Sequence, residues 1–228
     1  MGAAVVMMGP PGAGKGTQAE RFARAHGVPR ISTGDILRDA VRAGTAVGRR
    51  ARAGINRGEL VDDETMVGIV RERLGWDDAR AGFVLDGFPR TVGQAEALDA
   101  LVHERGLGPL VVVDVVVPRA ELVRRLAVRR ICDRCGANAA PDAVACGTCG
   151  GNLVQRPDDD QRVVDERLRV YERSTRPLVE FYRGRPTFRT VDGAQSPDAV
   201  AAALEAVLAE VAGAGVGAPA PGKGRDRA

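Results

Sequence analysis

Nine consecutive residues, Gly9-Pro10-Pro11-Gly12-Ala13-Gly14-Lys15-Gly16-Thr17, constrain the fold of this chain more than any other segment. They follow an apolar run, Ala3 to Met8, and open a helical pattern, Lys15 to His26. A glycine-rich turn between a strand and a helix lets successive backbone N–H groups converge on one anion, with no Cβ in the way. The helix N-terminus adds a partial positive charge. The segment nearly fits G-x-x-x-x-G-K-[ST], with Gly16 in the last position and Thr17 one residue later. Gly12, Ala13, Gly14 and Gly16 would line the phosphates. Lys15 can reach the β- and γ-phosphates, and the Thr17 hydroxyl can meet Mg²⁺ or a phosphate oxygen. Such a loop implies nucleotide binding and leaves open what happens to the nucleotide.

Five apolar runs read as buried parallel strands: Ala3 to Met8, Pro29 to Ser32, Phe83 to Asp86, Leu110 to Val117 and Thr187 to Val191. Helical patterns lie between them, at Lys15 to His26, Asp35 to Ala43, Asp63 to Leu74, Val92 to Arg105, Arg119 to Arg130, Asp160 to Arg183 and Asp198 to Val211. This alternation predicts an α/β fold, a five-stranded parallel sheet with helices on both faces. Residues 131–155 break the rhythm and read as a small insert. The Gly-, Ala- and Pro-rich stretch 213–228 reads as a disordered tail.

The four cysteines all fall in that insert, as Cys132-Asp133-Arg134-Cys135 and Cys146-Gly147-Thr148-Cys149. Two C-x₂-C knuckles can bring four thiolates to one tetrahedral Zn²⁺, a closed and therefore structural site, with a disulfide as the alternative. The net charge of +3 does not by itself imply a nucleic-acid partner. Of 33 basic residues only Lys15 and Lys223 are lysine, so arginine richness in general carries little weight. No stretch approaches the ~20 apolar residues of a membrane span, and the N-terminal run reads as a first strand of a cytoplasmic protein.

Further motifs follow in order: Ile31-Ser32-Thr33-Gly34-Asp35-Ile36-Leu37-Arg38, Asp86-Gly87-Phe88-Pro89-Arg90-Thr91, Arg129-Arg130, Arg156-Pro157-Asp158-Asp159 and Val191-Asp192-Gly193. Asp86 ends a buried strand at the carboxyl edge of the sheet, where open α/β sheets bind ligands. It could hold Mg²⁺ through water or merely cap the following turn. Gly87-Phe88-Pro89-Arg90 makes a stiff turn carrying one guanidinium, a planar fork suited to phosphate. Arg125 and Arg129 lie four apart on an expected helix, so they would share a face.

Together with the glycine-rich loop, these motifs resemble adenylate kinase across about residues 3–211, with compatible spacing. The resemblance implies reversible transfer of a phosphoryl group from Mg·ATP to AMP, giving two ADP. It implies that Asp86 holds Mg²⁺ through water, and that Arg38 and Arg90 grip the acceptor phosphate. Thr33 and Gln94, the backbone of Glu59, Leu60 and Val61, and the Gly87-Phe88-Pro89 turn would surround AMP. Lys15, Arg90, Arg125, Arg129, Arg156 and Arg167 would serve the transferring phosphoryl group, with Arg156 and Arg167 also facing AMP. Arg129 and the backbone of Gln195 would contact ATP.

On this reading residues 1–124 and 166–212 form the core, about 32–61 the acceptor segment and 125–165 a zinc-binding lid. The expected partners are ATP, AMP and ADP, with no nucleic acid, no membrane and a monomeric chain. The lid departs from the family pattern: its knuckles are close together, and Asn138-Ala139-Ala140 stands where an aromatic is usual. Lid contacts to the ATP base other than Arg129 are therefore not carried over. Three alternatives stay open: a UMP, CMP or other nucleoside monophosphate kinase or one using GTP, a zinc-ribbon nucleic-acid module, and a nucleotide-dependent switch. Thr33 and Gln94 favour adenine. The insert holds one Arg, no Lys and no aromatic residue, which disfavours nucleic acid. The acceptor set Arg38, Arg90 and Gln94 disfavours a switch.

Overall fold

The computed structural model describes residues 4–140 and 142–213. A five-stranded parallel sheet runs in the order β2-β3-β1-β4-β7, from β1 (Ala4–Met8), β2 (Arg30–Ser32), β3 (Phe83–Asp86), β4 (Leu110–Val116) and β7 (Phe188–Asp192). The helices are α1 (Lys15–His26), α2 (Thr33–Arg42), α3 (Ala46–Arg57), α4 (Asp63–Arg73), α5 (Val92–Glu104), α6 (Arg119–Val128), α7 (Gln161–Val170), α8 (Pro177–Arg183) and α9 (Pro197–Gly213). A small antiparallel pair, β5 (Arg130–Cys132) and β6 (Leu153–Gln155), forms the insert.

Period-two alternation along the strands feeds two cores. Val5, Met7, Val84, Val113 and Val115 pack under α1, α6, α7 and α9. Val6, Met8, Ile31, Leu85 and Val112 pack under α2, α4, α5 and α8. Burial on both faces explains why the strands read as continuous apolar runs. Register sets Met7 beside Asp86 and Ser32 beside Asp86, so the ends of β1, β2 and β3 share one edge. The connection leaving β1 runs to β2 on one side of the sheet and that leaving its neighbour β4 runs to β7 on the other, opening the crevice that ligands of such sheets use.

Four local expectations need correction. Helix α3 fell in a stretch with no assigned element, because its two glycines and sparse apolar residues hide the helical period. Thr45 starts it by accepting a hydrogen bond from the Gly48 N–H at 3.1 Å. The expected helix from Asp160 to Arg183 is interrupted by a π turn at Tyr171–Thr175 before Pro177 opens α8. Helix α6 ends at Val128, and Arg129 turns to extended backbone, so Arg125 and Arg129 do not share a helical face. The last helix reaches Gly213, so a tail begins no earlier than residue 214, and 214–228 lie outside the described residues.

Candidate active site

The glycine-rich loop joins β1 to α1 with left-handed backbone at Gly12 (φ 87°) and Gly14 (φ 91°), the second serving as N-cap of α1. Lys15 folds back along it, and its Nζ donates to the carbonyls of Gly9 at 2.7 Å and Pro10 at 2.8 Å. Burial pulls the ammonium pKa down to about 8; Asp86 opposes this, while Arg90, Arg167 and Arg129 reinforce it. Gly16 sits in a tight corner. A Cβ there would meet Asp86 Oδ2 at 3.2 Å, Arg30 Nη2 at 3.3 Å and Asn138 Nδ2 of the insert at 3.9 Å. Thr17 is exposed at the loop's end. Ala13 is buried against the β7–α9 turn, where a Cβ on Gly193 would meet its carbonyl oxygen at 3.3 Å. Gln195, in that turn, is exposed and donates to Asp192 at 3.4 Å.

Across the crevice, Ser32 caps α2 by accepting from the Asp35 N–H at 3.3 Å. Thr33 Oγ1 donates to the Gly87 carbonyl at 2.9 Å, as does Arg90 Nε at 2.8 Å. Phe88 and Pro89 are buried beneath this turn and joined by a cis peptide bond. Gln94 is enclosed: its Oε1 accepts from the Arg90 N–H at 2.8 Å, and its Nε2 donates to Asp63 Oδ1 at 2.7 Å. Arg38 pairs with Asp35. Burial lowers the pKa of Arg90, and it lowers that of Arg38 with help from Arg156. Glu59 is exposed and doubly paired with Arg57, at 2.8 and 2.7 Å, while Leu60 and Val61 are half-buried on the α3–α4 loop.

Three arginines gather around two adjacent acids at the junction of insert and core. Arg129 forks onto Asp159 at 2.7 and 2.6 Å. Arg167 reaches Asp159 at 2.9 Å and Asp158 at 3.0 Å. Arg156 forks onto Asp158 at 3.0 and 3.1 Å. Burial alone would raise the Asp158 pKa, yet Arg167 and Arg156 hold it well below the usual carboxylate range. Burial brings Arg167 down to about 10. Arg125 is not part of this group. It donates to Glu121 at 2.7 Å and to the carbonyl of Gly193, the neighbour of Ala13 in the glycine-rich loop, at 2.9 Å.

The two knuckles repeat one geometry. The Gly136 N–H donates to the Cys132 carbonyl at 3.0 Å, and the Gly150 N–H to the Cys146 carbonyl at 2.8 Å. The N–H groups of Arg134 and Thr148 point at Sγ of Cys132 and Cys146, each at 3.4 Å. All four Sγ atoms lie within 4.8 Å of one another, with Cys132 and Cys149 3.4 Å apart and Cys135 and Cys146 3.6 Å apart. Tetrahedral Zn–S bonds of about 2.3 Å imply S···S separations of about 3.8 Å, so this cluster of unbridged thiols fits zinc.

Several residues of the site were not singled out by sequence reasoning. Asp158 and Asp159 were legible only as part of a motif, with no role assigned. Arg30 bridges Asp86 and Asp35, at 3.0 and 2.9 Å, and one arginine among so many carries no signal. Thr175 emerges from the π turn to donate to the Arg90 carbonyl at 3.0 Å, which no local pattern announces.

Over residues 7–186 the chain matches the adenylate kinase family. It is 46% identical over 213 residues to an adenylate kinase of Archaeoglobus fulgidus, covering 91% of this chain and 98% of the relative. An adenylate kinase of Moorella thermoacetica is 48% identical over 210 residues, with 90% and 97% covered. One from Rhizobium etli is 44% identical over 214 residues, with 91% and 99% covered. Matched in this way over most of its length, the chain belongs to the adenylate kinase family.

Proposed function

We propose that this chain transfers a phosphoryl group reversibly from ATP to AMP, giving two ADP. The observation that carries this reading is the gathering of Arg90, Arg167 and Arg129 around Lys15, whose ammonium pKa burial lowers and these arginines lower further. So much positive charge in one crevice calls for a polyanion, and phosphoryl transfer depends on such charge and on positioning rather than on a nucleophilic side chain.

The roles divide by location. The backbone of Gly12 to Thr17 and the Lys15 ammonium hold the donor phosphates. Arg125, Arg129 and the Gln195 backbone stand on the donor side. Arg38, Arg90, Arg156 and Arg167 take the acceptor phosphate, and Thr33, Gln94, the Gly87–Pro89 turn and residues 59–61 frame its base. Gln94 frames the pocket while spending its amide on Arg90 and Asp63, so its influence on the base passes through those two groups.

Asp86 suits Mg²⁺ held through water, being a single carboxylate at a strand end facing the phosphate loop. A cation held there would supply neutralising charge to the nucleotide phosphates. Cys132, Cys135, Cys146 and Cys149 hold a structural zinc. Residues 125–165 act as a lid over the core formed by 1–124 and 166–212, with 32–61 as the acceptor segment. Closing the lid keeps the phosphoryl group from water. We further propose a monomer in the cytoplasm, where unbridged thiols persist. No helix among the described residues is long and apolar enough to cross a membrane.

The test is a coupled assay of ADP formation from Mg·ATP with AMP, UMP, CMP or GMP, and with no acceptor. Turnover with AMP alone is expected. Turnover with a pyrimidine nucleotide would overturn the acceptor, and ATP binding without transfer to any acceptor would overturn the kinase reading.

A further inference from the structure

Arg30 opens β2, and its side chain is only 20% exposed. Its Nη2 lies 3.0 Å from Asp86 Oδ2 at the end of β3 and 2.9 Å from Asp35 Oδ2 in the first turn of α2. Nη1 stands 3.9 Å from Glu20 on α1. Asp35 also pairs with Arg38. The four side chains therefore form a string of alternating charge: Asp86, Arg30, Asp35, Arg38. One end is the carboxylate assigned above to the metal's water shell, and the other is a guanidinium assigned to the acceptor phosphate.

Each inner member of such a string divides its attraction between two neighbours, and at these separations each share is substantial. When Asp86 turns toward a hydrated cation, it gives up part of its hold on Arg30. Arg30 then falls more fully to Asp35, whose second ion pair, to Arg38, weakens. Arg38 is freed for an incoming phosphate.

We propose that Arg30 is a positioning residue that couples the two nucleotide subsites, so that a cation at Asp86 and a monophosphate at Arg38 favour each other's binding. The inference rests on the assignment of Asp86 and Arg38 given above. Coupling of this kind is reciprocal and commonly about 5-fold or more in affinity. A purely structural Arg30 would staple β2, α2 and β3 together and couple nothing.

The experiment is calorimetric titration of AMP into protein saturated with β,γ-methylene ATP, with and without Mg²⁺. The parent should bind AMP about 5-fold more tightly with Mg²⁺. Arg30→Gln should reduce that ratio to near one, and Arg30→Lys should keep part of it. Asp35→Asn, which cuts the next link, should also abolish it. The proposal is overturned if the parent shows no ratio, or if Arg30→Gln and Asp35→Asn keep the parental ratio while melting at lower temperature. Asp86→Asn separates the two failures. If it abolishes the ratio and Arg30→Gln does not, the coupling is wrong and the metal assignment stands. If it leaves the ratio intact, the metal assignment fails and the coupling with it.

Discussion

Arg129 and Asp159 face each other as a bidentate pair, at 2.7 and 2.6 Å, with the Asp159 side chain fully buried. Asp159 also receives Arg167 at 2.9 Å, so one carboxylate gathers an arginine from the edge of the insert and another from α7. Removing one partner of a buried ion pair leaves uncompensated charge, at a cost of about 3–5 kcal/mol. Asp159→Ala should therefore lower the melting temperature markedly. Asp159→Asn, which keeps the shape, should cut kcat at least about ten-fold by loosening both arginines. Melting curves and steady-state rates check both, and an Asn variant with parental kcat would show that Asp159 does not position the arginines for transfer.

Lys15 has its ammonium pKa drawn down to about 8 by burial. Only the protonated form attracts phosphates, so kcat/KM for ATP should fall as pH rises through about 8. Bound ATP adds negative charge and raises the pKa, so kcat itself should stay level to higher pH. Stability moves the other way. Between about 8 and the ordinary lysine value near 10.4, the folded state holds fewer protons than the unfolded state, so the Lys15 contribution to stability increases with pH. A pH–rate profile with kcat/KM flat to pH 9.5 would contradict this assignment.

At the acid end the slope has the same sign for Asp158, whose pKa is also lower in the folded state than in the unfolded one. Arg167 and Arg156 hold its pKa below the usual range, so its stabilising contribution is complete above about pH 4 and is lost as pH falls further. Acid titration of the melting temperature should show a steeper decline in the parent than in Asp158→Asn.

The thiol cluster should bind one zinc per chain, and its binding free energy is folding free energy for the insert. Chelation or Cys132→Ser should lower the melting temperature while far-UV circular dichroism of the sheet and helices persists. Equal stability of the variant and the parent would remove the structural role of the metal.

Gly48 tests the acceptor segment. A Cβ there would lie 2.0 Å from the Ala40 carbonyl oxygen, against backbone that cannot give way without parting α2 from α3. Gly48→Ala should destabilise by about 1–3 kcal/mol and raise KM for AMP, because α2 carries Arg38. Gly54, on the same helix, has 3.7 Å to its nearest neighbour, so Gly54→Ala should be neutral or stabilise by up to about 1 kcal/mol. Equal melting temperatures for the two variants would refute the close-approach argument.

Much of the site was legible because its chemistry is local in the chain. The Gly12–Thr17 loop, the Gly87–Arg90 turn and the paired knuckles each act within a few residues, so spacing alone reveals them. Helix α3 was missed for the opposite reason. Gly48 and Gly54 weaken its intrinsic signal, and α3 is held by packing on α2 and by the Thr45 cap. The break at Tyr171–Thr175 was likewise invisible, since that stretch reads as plain helix and the gain from the π turn lies in the contact from Thr175 to Arg90.

By itself the sequence determined the alternation of strands and helices, the glycine-rich loop and the paired cysteine knuckles, because apolar period, glycine backbone freedom and thiol spacing act between near neighbours. Only the tertiary structure decided which arginines converge. Arg125 and Arg129 are equivalent by spacing, yet one turns to Gly193 and the other to Asp159. Arg30 is indistinguishable from thirty others until β2 sets it between Asp86 and Asp35. A guanidinium's role follows from the carboxylates and burial around it, and those are supplied by residues far away in the chain.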